Sequence, residues 1–243
     1  MKKHQLCSYL QLPFQFEEKK LVHDLALMIE NQWIPHYNKS DYKGDWNVIP
    51  LYAKEGDGTN IFALNSNDSA IIETPIMKDC LYFREVIHHF KFPILSVRLF
   101  RLGVGAEIKP HRDYQLGYED NTFRLHIPIA TNDDVHFILD GERLQMQPGE
   151  CWYTNVNYFH SVTNKGNSDR IHLVIDGERN TWSDELFFSL APEESFIPNP
   201  DQPISPANIK RMIEELTGRE EPGAKVLIVE LQGKLDRLEN IEK

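Results

Sequence analysis

The stretch SVRLFRLGVGAEIKPHRD (96–113) decides the fold, read with TFRLHIPIA (122–130), VHFILD (135–140), ERLQMQ (142–147), ECWYTN (150–155), HSVTN (160–164) and DRIHLVID (169–176). Each is a short run in which apolar and polar residues alternate, and turn formers such as LDGE (139–142) and NKGN (164–167) separate them. Alternation with a period of two marks a strand with one apolar face. Closely spaced strands of this kind predict a mainly β protein with flanking helices, built as an antiparallel double-sheet jelly roll.

Outward from this core, residues 6–14 read as a short strand. EEKKLVHDLALMIENQW (17–33) reads as an amphipathic helix with Leu21, Leu25, Met28 and Ile29 on one stripe. WNVIPLYA (46–53) and NIFALN (60–65) read as strands around the turn-rich KEGDGT (54–59), and 74–91 as helix. The tail changes character. Pro192, Pro198, Pro200, Pro203 and Pro206 give a linker composition, Ser205-Pro206 suits a helix start, and Gly218 suits its end. Helices are expected over 206–217 and from Pro222 through Leu227, Leu231, Leu235 and Leu238, covering the sheet or forming a homodimer contact. The expected organisation is a catalytic domain over 1–190, a linker over 191–205 and a C-terminal helical extension over 206–243.

Composition narrows the class of protein. A net charge of −11 over 243 residues speaks against a nucleic-acid-binding surface. Three widely spaced cysteines (Cys7, Cys80, Cys151) form no disulfide framework or zinc motif. MKKHQLCSYLQ lacks the apolar segment of a signal peptide, and no run is long enough to span a membrane. The expected setting is the cytoplasm, with no membrane partner.

The chemistry concentrates in IKPHRD (108–113) and FHSV (159–162). Residues i and i+2 of a strand share a face, so His111 and Asp113 can aim an imidazole and a carboxylate at one metal ion. His160, 49 residues after His111, supplies a third ligand from a distant strand. Two histidines and one carboxylate on one face of an octahedron form the set used by non-haem iron(II) oxygenases. FRLHIPI (123–129) and DRIHLVI (169–175) echo each other: Arg124 and His126, like Arg170 and His172, share a face opposite an apolar one. A barrel-lining arginine is costly unless an anion pairs with it, and a dicarboxylate would supply that partner. The expectation that His160 and Arg170 share a face carries a geometric demand. A hairpin over 160–170 needs an odd loop centred on Gly166, pairing His160 with His172.

The segment from Gly105 to Asp176, through IKPHRD, FRLHIPI and GECWYTNVNYFHSVTNKGNSDRIHLVID, resembles the aspartyl/asparaginyl β-hydroxylase family of iron(II)- and 2-oxoglutarate-dependent dioxygenases, and most of all its bacterial proline cis-hydroxylase branch. The resemblance implies a double-stranded β-helix (a cupin-like jelly roll), with His111, Asp113 and His160 as ligands of Fe(II). It implies Arg170 on the distal carboxylate of 2-oxoglutarate, and Arg124 on a carboxylate of cosubstrate or substrate. His126 and His172 are candidates for orienting a ligand or the cosubstrate. The implied reaction consumes O2 and hydroxylates an amino acid, free or as a short peptide side chain, with ascorbate stimulatory. Trp152, Asn155, Asn157 and Tyr158, with loop 54–59 as a lid, are expected near the substrate. Two rivals remain open: a cupin-like metal isomerase or hydrolase with no role for Arg170, and a binding module without stoichiometric metal.

Overall fold

The computed structural model describes residues 6–28, 32–62, 70–113 and 115–198, and in the C-terminal stretch residues 209, 210, 213, 217, 228, 229, 231–233, 235 and 236. It contains two compact units, Met1–Ile197 and Pro198–Lys243. Strands and helices are numbered in chain order.

The first unit is a pair of antiparallel sheets. The larger runs in the order β1 (Tyr9–Gln15), β11 (Glu150–Thr154), β8 (Thr122–Ala130), β13 (Arg170–Glu178), β6 (Ile94–Leu102), β4 (Trp46–Lys54) and β2 (Ile34–Pro35), with β5 (Ile71–Glu73) paired to β4. The smaller runs β10 (Glu142–Leu144), β9 (Val135–Leu139), β12 (His160–Asn164), β7 (Glu107–His111) and β3 (Tyr42–Lys43). This is the expected jelly roll, and the period-two pattern explains how its faces divide. Phe123, Leu125, Ile127 and Ile129 of β8, with Leu173 and Ile175 of β13, join one core cluster together with Leu21, Phe83, Val86 and Phe187. Those last four residues belong to the helices α1 (Glu18–Leu25), α2 (Leu81–His88) and α3 (Thr181–Leu190), which cover the outer face of the large sheet. The opposite face, carrying Val48, Phe100 and Val174, packs on Ile108, Phe137 and Val162 of the small sheet. The echoing Arg-x-His sides of β8 and β13 therefore point into the space between the sheets.

The segment 160–170 is not a hairpin. Strand β12 pairs with β7 and β9, whereas β13 pairs with β6 and β8. The chain crosses from the small sheet to the large one through Lys165–Asp169, so His160 lies opposite His111 and Leu139 rather than His172. Asn164 pins the crossing by donating to the carbonyls of Leu102 (3.1 Å) and Ser168 (2.9 Å). Gly166 passes so close to Asn132 that a Cβ there would lie 2.0 Å from its Oδ1. The demand for an odd hairpin loop is replaced by a simpler one: inward faces of two opposed sheets meet without any shared register.

The helical expectations need trimming. Helix α1 spans only Glu18–Leu25, and Ile29 lies outside the described residues. Its Asp24 is buried and accepts the amides of Tyr82 and Phe83, both at 2.8 Å. It thereby caps α2, whose own N-cap residue Cys80 makes no capping side-chain bond. The expected helix 74–91 is a 3-10 turn, Pro75–Asp79, followed by α2. Residues 60–62 are not strand, and 63–65 lie outside the described residues. Helix α3, with a capping box between Asn180 and Ser183, went unread in the sequence. In the second unit, residues 209, 210, 213, 228, 229, 231–233, 235 and 236 are helical, and Ile209, Leu231 and Leu235 are buried together against Ile213. Ser205, Pro206, Gly218, Pro222, Leu227 and Leu238 lie outside the described residues. Among the described residues, no helix is long and apolar enough to cross a membrane.

Candidate active site

Antiparallel pairing brings the metal-ligand candidates together. His111 and His160 are direct partners across β7 and β12, with ring centroids 4.3 Å apart. Asp113 follows the end of β7, its amide held by the Val156 carbonyl at 2.9 Å. The three residues offer one donor atom each within 4.8 Å of one another. Their surroundings orient those atoms. The Lys109 carbonyl lies 2.8 Å from His111 Nδ1 and the Tyr158 carbonyl 3.1 Å from His160 Nδ1. A carbonyl only accepts, so each ring carries its proton on Nδ1 and leaves the Nε2 lone pair for a metal. Asp113 Oδ2 accepts from Arg124 Nη1 at 2.5 Å, while Oδ1 lies 3.7 Å from His111 Nε2. One carboxylate oxygen is thus tied and the other is free to ligate. Burial holds the His160 imidazole down to about 4, against the pull of Asp113. Burial opposes ionisation of Asp113, but Arg124, His160 and His111 more than offset it and keep the carboxyl below its usual range. The set is two imidazoles and one carboxylate, which suits a divalent iron ion.

These residues open into a cavity of about 410 Å³ between the sheets, lined also by Arg98, Arg124, His126 and Arg170. Its three buried arginines are not alike. Arg124 donates to Asp176 (2.7 Å) as well as to Asp113, and stays charged because these two carboxylates outweigh burial. Arg98 pairs with the same Asp176 and donates to the Ile61 carbonyl at 3.0 Å. Register explains this knot: Asp176 is the cross-strand partner of Arg124 on one side and of Ser96 on the other, and Ser96 Oγ also donates to it at 2.8 Å.

Arg170 has no carboxylate partner among the described residues. It is 3% exposed, donates to His172 Nδ1 at 3.0 Å, and leaves its Nε without a partner. Burial alone pulls the guanidinium down to about 9. His126 lines the same cavity with both ring nitrogens unpartnered, kept neutral by burial and by Arg170. A buried cation without an anion is unfavourable, and so is a buried imidazole without hydrogen bonds. A carboxylate ligand in this cavity would relieve the first and can accept from the second, so the residues present fit 2-oxoglutarate as well as the iron. His172 does not line this cavity. It lines a second one of about 290 Å³ beyond Arg170, and meets the first through its bond to Arg170 and its edge-on ring contact with His126 (centroids 5.6 Å apart).

Trp152, Asn155, Asn157, Tyr158 and loop 54–59 do not line the main cavity; Val156 does. Asn155 and Asn157 instead donate to Glu119, at 2.8 to 3.0 Å. The mouth is formed by residues the sequence did not flag. Tyr37 and Phe62 are more than half exposed with ring centroids 5.0 Å apart, and His36 is stacked on Trp46 at 3.6 Å. Arg98 and Asp176 were legible as further members of period-two faces; Tyr37 and Phe62, on irregular chain, were not.

Comparison with known proteins agrees with the geometry. The family model for aspartyl/asparaginyl beta-hydroxylase matches residues 16–180, a span that contains every residue of the site. An L-proline cis-4-hydroxylase of Rhizobium meliloti (strain 1021) is 28% identical over 206 residues, covering 84% of this chain and 69% of that one. An L-proline cis-3-hydroxylase 2 of a Streptomyces species is 23% identical over 172 residues, covering 70% of this chain and 59% of that one. A solved 2OG-Fe(II) oxygenase family oxidoreductase from Burkholderia pseudomallei superposes with a TM-score of 0.48 at 16% identity, over 71% of this chain and 86% of its own. The chain belongs to the aspartyl/asparaginyl β-hydroxylase family, and is a 2-oxoglutarate-dependent hydroxylase with Fe(II) and 2-oxoglutarate as its cofactors.

Proposed function

We propose that the enzyme hydroxylates a free amino acid, proline-like in the first instance, at an unactivated carbon, ahead of an Asp or Asn side chain in a peptide. The observation that carries the cosubstrate half of this reading is Arg170, a buried cation beside the metal donors with no carboxylate of its own. The two relatives named as L-proline hydroxylases support the substrate half.

In this reading His111, Asp113 and His160 hold Fe(II), and Arg170 receives the far carboxylate of 2-oxoglutarate in a two-pronged contact that its fork geometry favours. Fe(II) and 2-oxoglutarate, when bound, would supply the oxidising power, the overall reaction consuming O2 and 2-oxoglutarate and giving succinate, CO2 and the hydroxylated product. The chain positions and shields this chemistry. Arg124 is a positioning residue, spent on Asp113 and Asp176, where it fixes which carboxylate oxygen faces the metal. This revises the expectation that it meets a ligand carboxylate directly. His172 holds Arg170, and His126 offers a ring N–H toward the cavity. The cavity walls of Phe100, Phe137, Val162 and Val174 exclude water from the reacting centre.

The test is succinate release with Fe(II), ascorbate and 2-oxoglutarate, run against all free amino acids and a set of Asp-, Asn- and Pro-containing peptides. Stimulation by a free amino acid is expected. If only peptides raise turnover above the uncoupled background, the enzyme is a peptidyl hydroxylase instead.

A further inference from the structure

Once Arg98, Arg124, Asp113 and Asp176 are paired with one another and Arg170 is given to the cosubstrate, two charged residues of the iron cavity remain, Arg112 and Asp41. They carry opposite signs. Arg112 lies between two metal ligands in sequence and lines the cavity. It makes no ion pair or hydrogen bond among the described residues and its buried Nε has no partner; the carboxylate whose charge it favours, Asp140, does not line the cavity. Its guanidinium lies over the ring of Phe159, 4.0 Å from the centroid, a contact that consumes none of its donors. Asp41 is held by neutral groups, accepting from Asn38 Nδ2 at 2.5 Å and Ser40 Oγ at 3.1 Å, and it has no ion pair among the described residues. The nearby Lys109 ammonium is spent on the Ser40 carbonyl.

The two residues are brought to one mouth by β7. The Asp41 carbonyl accepts the Lys109 amide at 2.8 Å, and Arg112 follows three residues further along the same strand direction. At a rise of about 3.3 Å per residue that separates the backbones by roughly 10 Å, a gap that an arginine side chain, an aspartate and a small ligand can span. A charge left without a partner at a cavity wall is a recognition element in waiting. One cation and one anion flanking one opening match a ligand that carries a carboxylate and an ammonium on the same carbon.

We propose that Arg112 and Asp41 form a zwitterion clamp, Arg112 taking the α-carboxylate and Asp41 the α-ammonium of a free amino acid, whose side chain then extends toward the iron past Tyr37 and Phe62. The clamp rests on the amino-acid hydroxylase reading above and sharpens it, because a residue inside a peptide has neither charge to offer. It assigns the selection of free over peptidyl substrate to two side chains outside the metal and cosubstrate set.

The experiment measures binding, apart from turnover. The twenty proteinogenic amino acids, each with its methyl ester and its N-acetyl derivative, are titrated calorimetrically into the Mn(II)- and 2-oxoglutarate-loaded protein. For each amino acid that binds, blocking either end is expected to weaken binding about 10- to 100-fold, the loss of a charge-assisted contact. Arg112→Gln should weaken the free acid by a similar factor and bring it level with its ester, while N-acetylation still costs. Asp41→Asn should do the reverse, and Arg112→Lys should restore part of the lost affinity. A side chain that merely packs on Phe159 or closes a turn would not erase discrimination at one end of the ligand only. Blocked forms binding as well as free ones, variants keeping the full discrimination, or binding of Asp and Asn peptides alone would each overturn the clamp. Failure of 2-oxoglutarate to bind the metal-loaded protein, titrated first and with no amino acid present, overturns the hydroxylase reading instead.

Discussion

Replacing Arg170 with methionine should stabilise the ligand-free protein while removing its response to 2-oxoglutarate. The sign follows from the environment. Burial draws the Arg170 guanidinium from 12.5 to about 9 with no carboxylate to compensate, a penalty on the folded, charged state of roughly 5 kcal/mol at most. A base whose folded value is depressed destabilises the fold fully below that value, and the penalty disappears only as pH rises through the unfolded one. The penalty is therefore constant between pH 6 and 8. Methionine is unbranched and carries no charge, but it is shorter and forfeits the bond from Arg170 Nη2 to His172 Nδ1, worth about 1–3 kcal/mol. The net gain is about 2–4 kcal/mol, and at roughly 2–4 °C per kcal/mol for a chain of this size the midpoint should rise by several degrees. With Mn(II) present, wild type at a hundredfold excess of 2-oxoglutarate over its Kd should gain about 2.7 kcal/mol. The variant should gain nothing beyond the shift due to metal alone. Differential scanning calorimetry with and without each ligand reads all four numbers. A variant that loses several degrees in the ligand-free state, or keeps the 2-oxoglutarate shift, would refute the reasoning that Arg170 is a cation held in reserve for an anion.

Three other substitutions probe neighbouring parts of the argument from charge and hydrogen bonding. Asp176→Asn leaves Arg98 and Arg124 buried without their shared carboxylate, and should destabilise by about 3–5 kcal/mol in denaturant titrations; a change under 1 kcal/mol would mean the pairs contribute little. His160→Ala should lower Fe(II) or Mn(II) affinity at least about 100-fold by equilibrium dialysis, since it removes one of three donors, and a wild-type Kd would exclude His160 as a ligand. Asp24→Ala uncaps α2 from a distance; a loss of about 1–3 kcal/mol is expected with metal affinity unchanged.

The large sheet was legible because β8 and β13 are amphipathic with the unusual sign: the helix-covered face is apolar and the arginines face inward. The jelly roll and the gathering of the three candidate metal donors followed from that pattern and from the H-x-D spacing. Strand partnership did not follow. NKGN reads locally as a hairpin turn, yet Asn164 and Gly166 serve a crossing between sheets, a choice made by contacts with Leu102 and Asn132 that are distant in sequence. The period-two count from Arg170 through His172 and Val174 reaches Asp176, and carrying it two residues further would have found the anion that occupies Arg124. Asp41, Tyr37 and Phe62 lie in or beside irregular chain, where no periodicity announces which way a side chain points. Helix α3 was missed because its cap is Asn180 with Ser183, a weaker signature than a glutamate in the third position.

The crossing at Gly166 puts the two ends of the proposed cosubstrate site on different sheets. His111 and His160 belong to the small sheet and Arg170 to the large one, and in the site the Arg124–Asp113 ion pair already joins the two. A molecule that meets the metal at one end and Arg170 at the other is therefore a removable tie-bar across the seam of the sandwich. Cofactor loading becomes a mechanical event as well as a chemical one. The seam should breathe most freely in the empty protein, and amide exchange along β7 and β12 should slow when both metal and cosubstrate are present, whichever amino acid waits at the mouth.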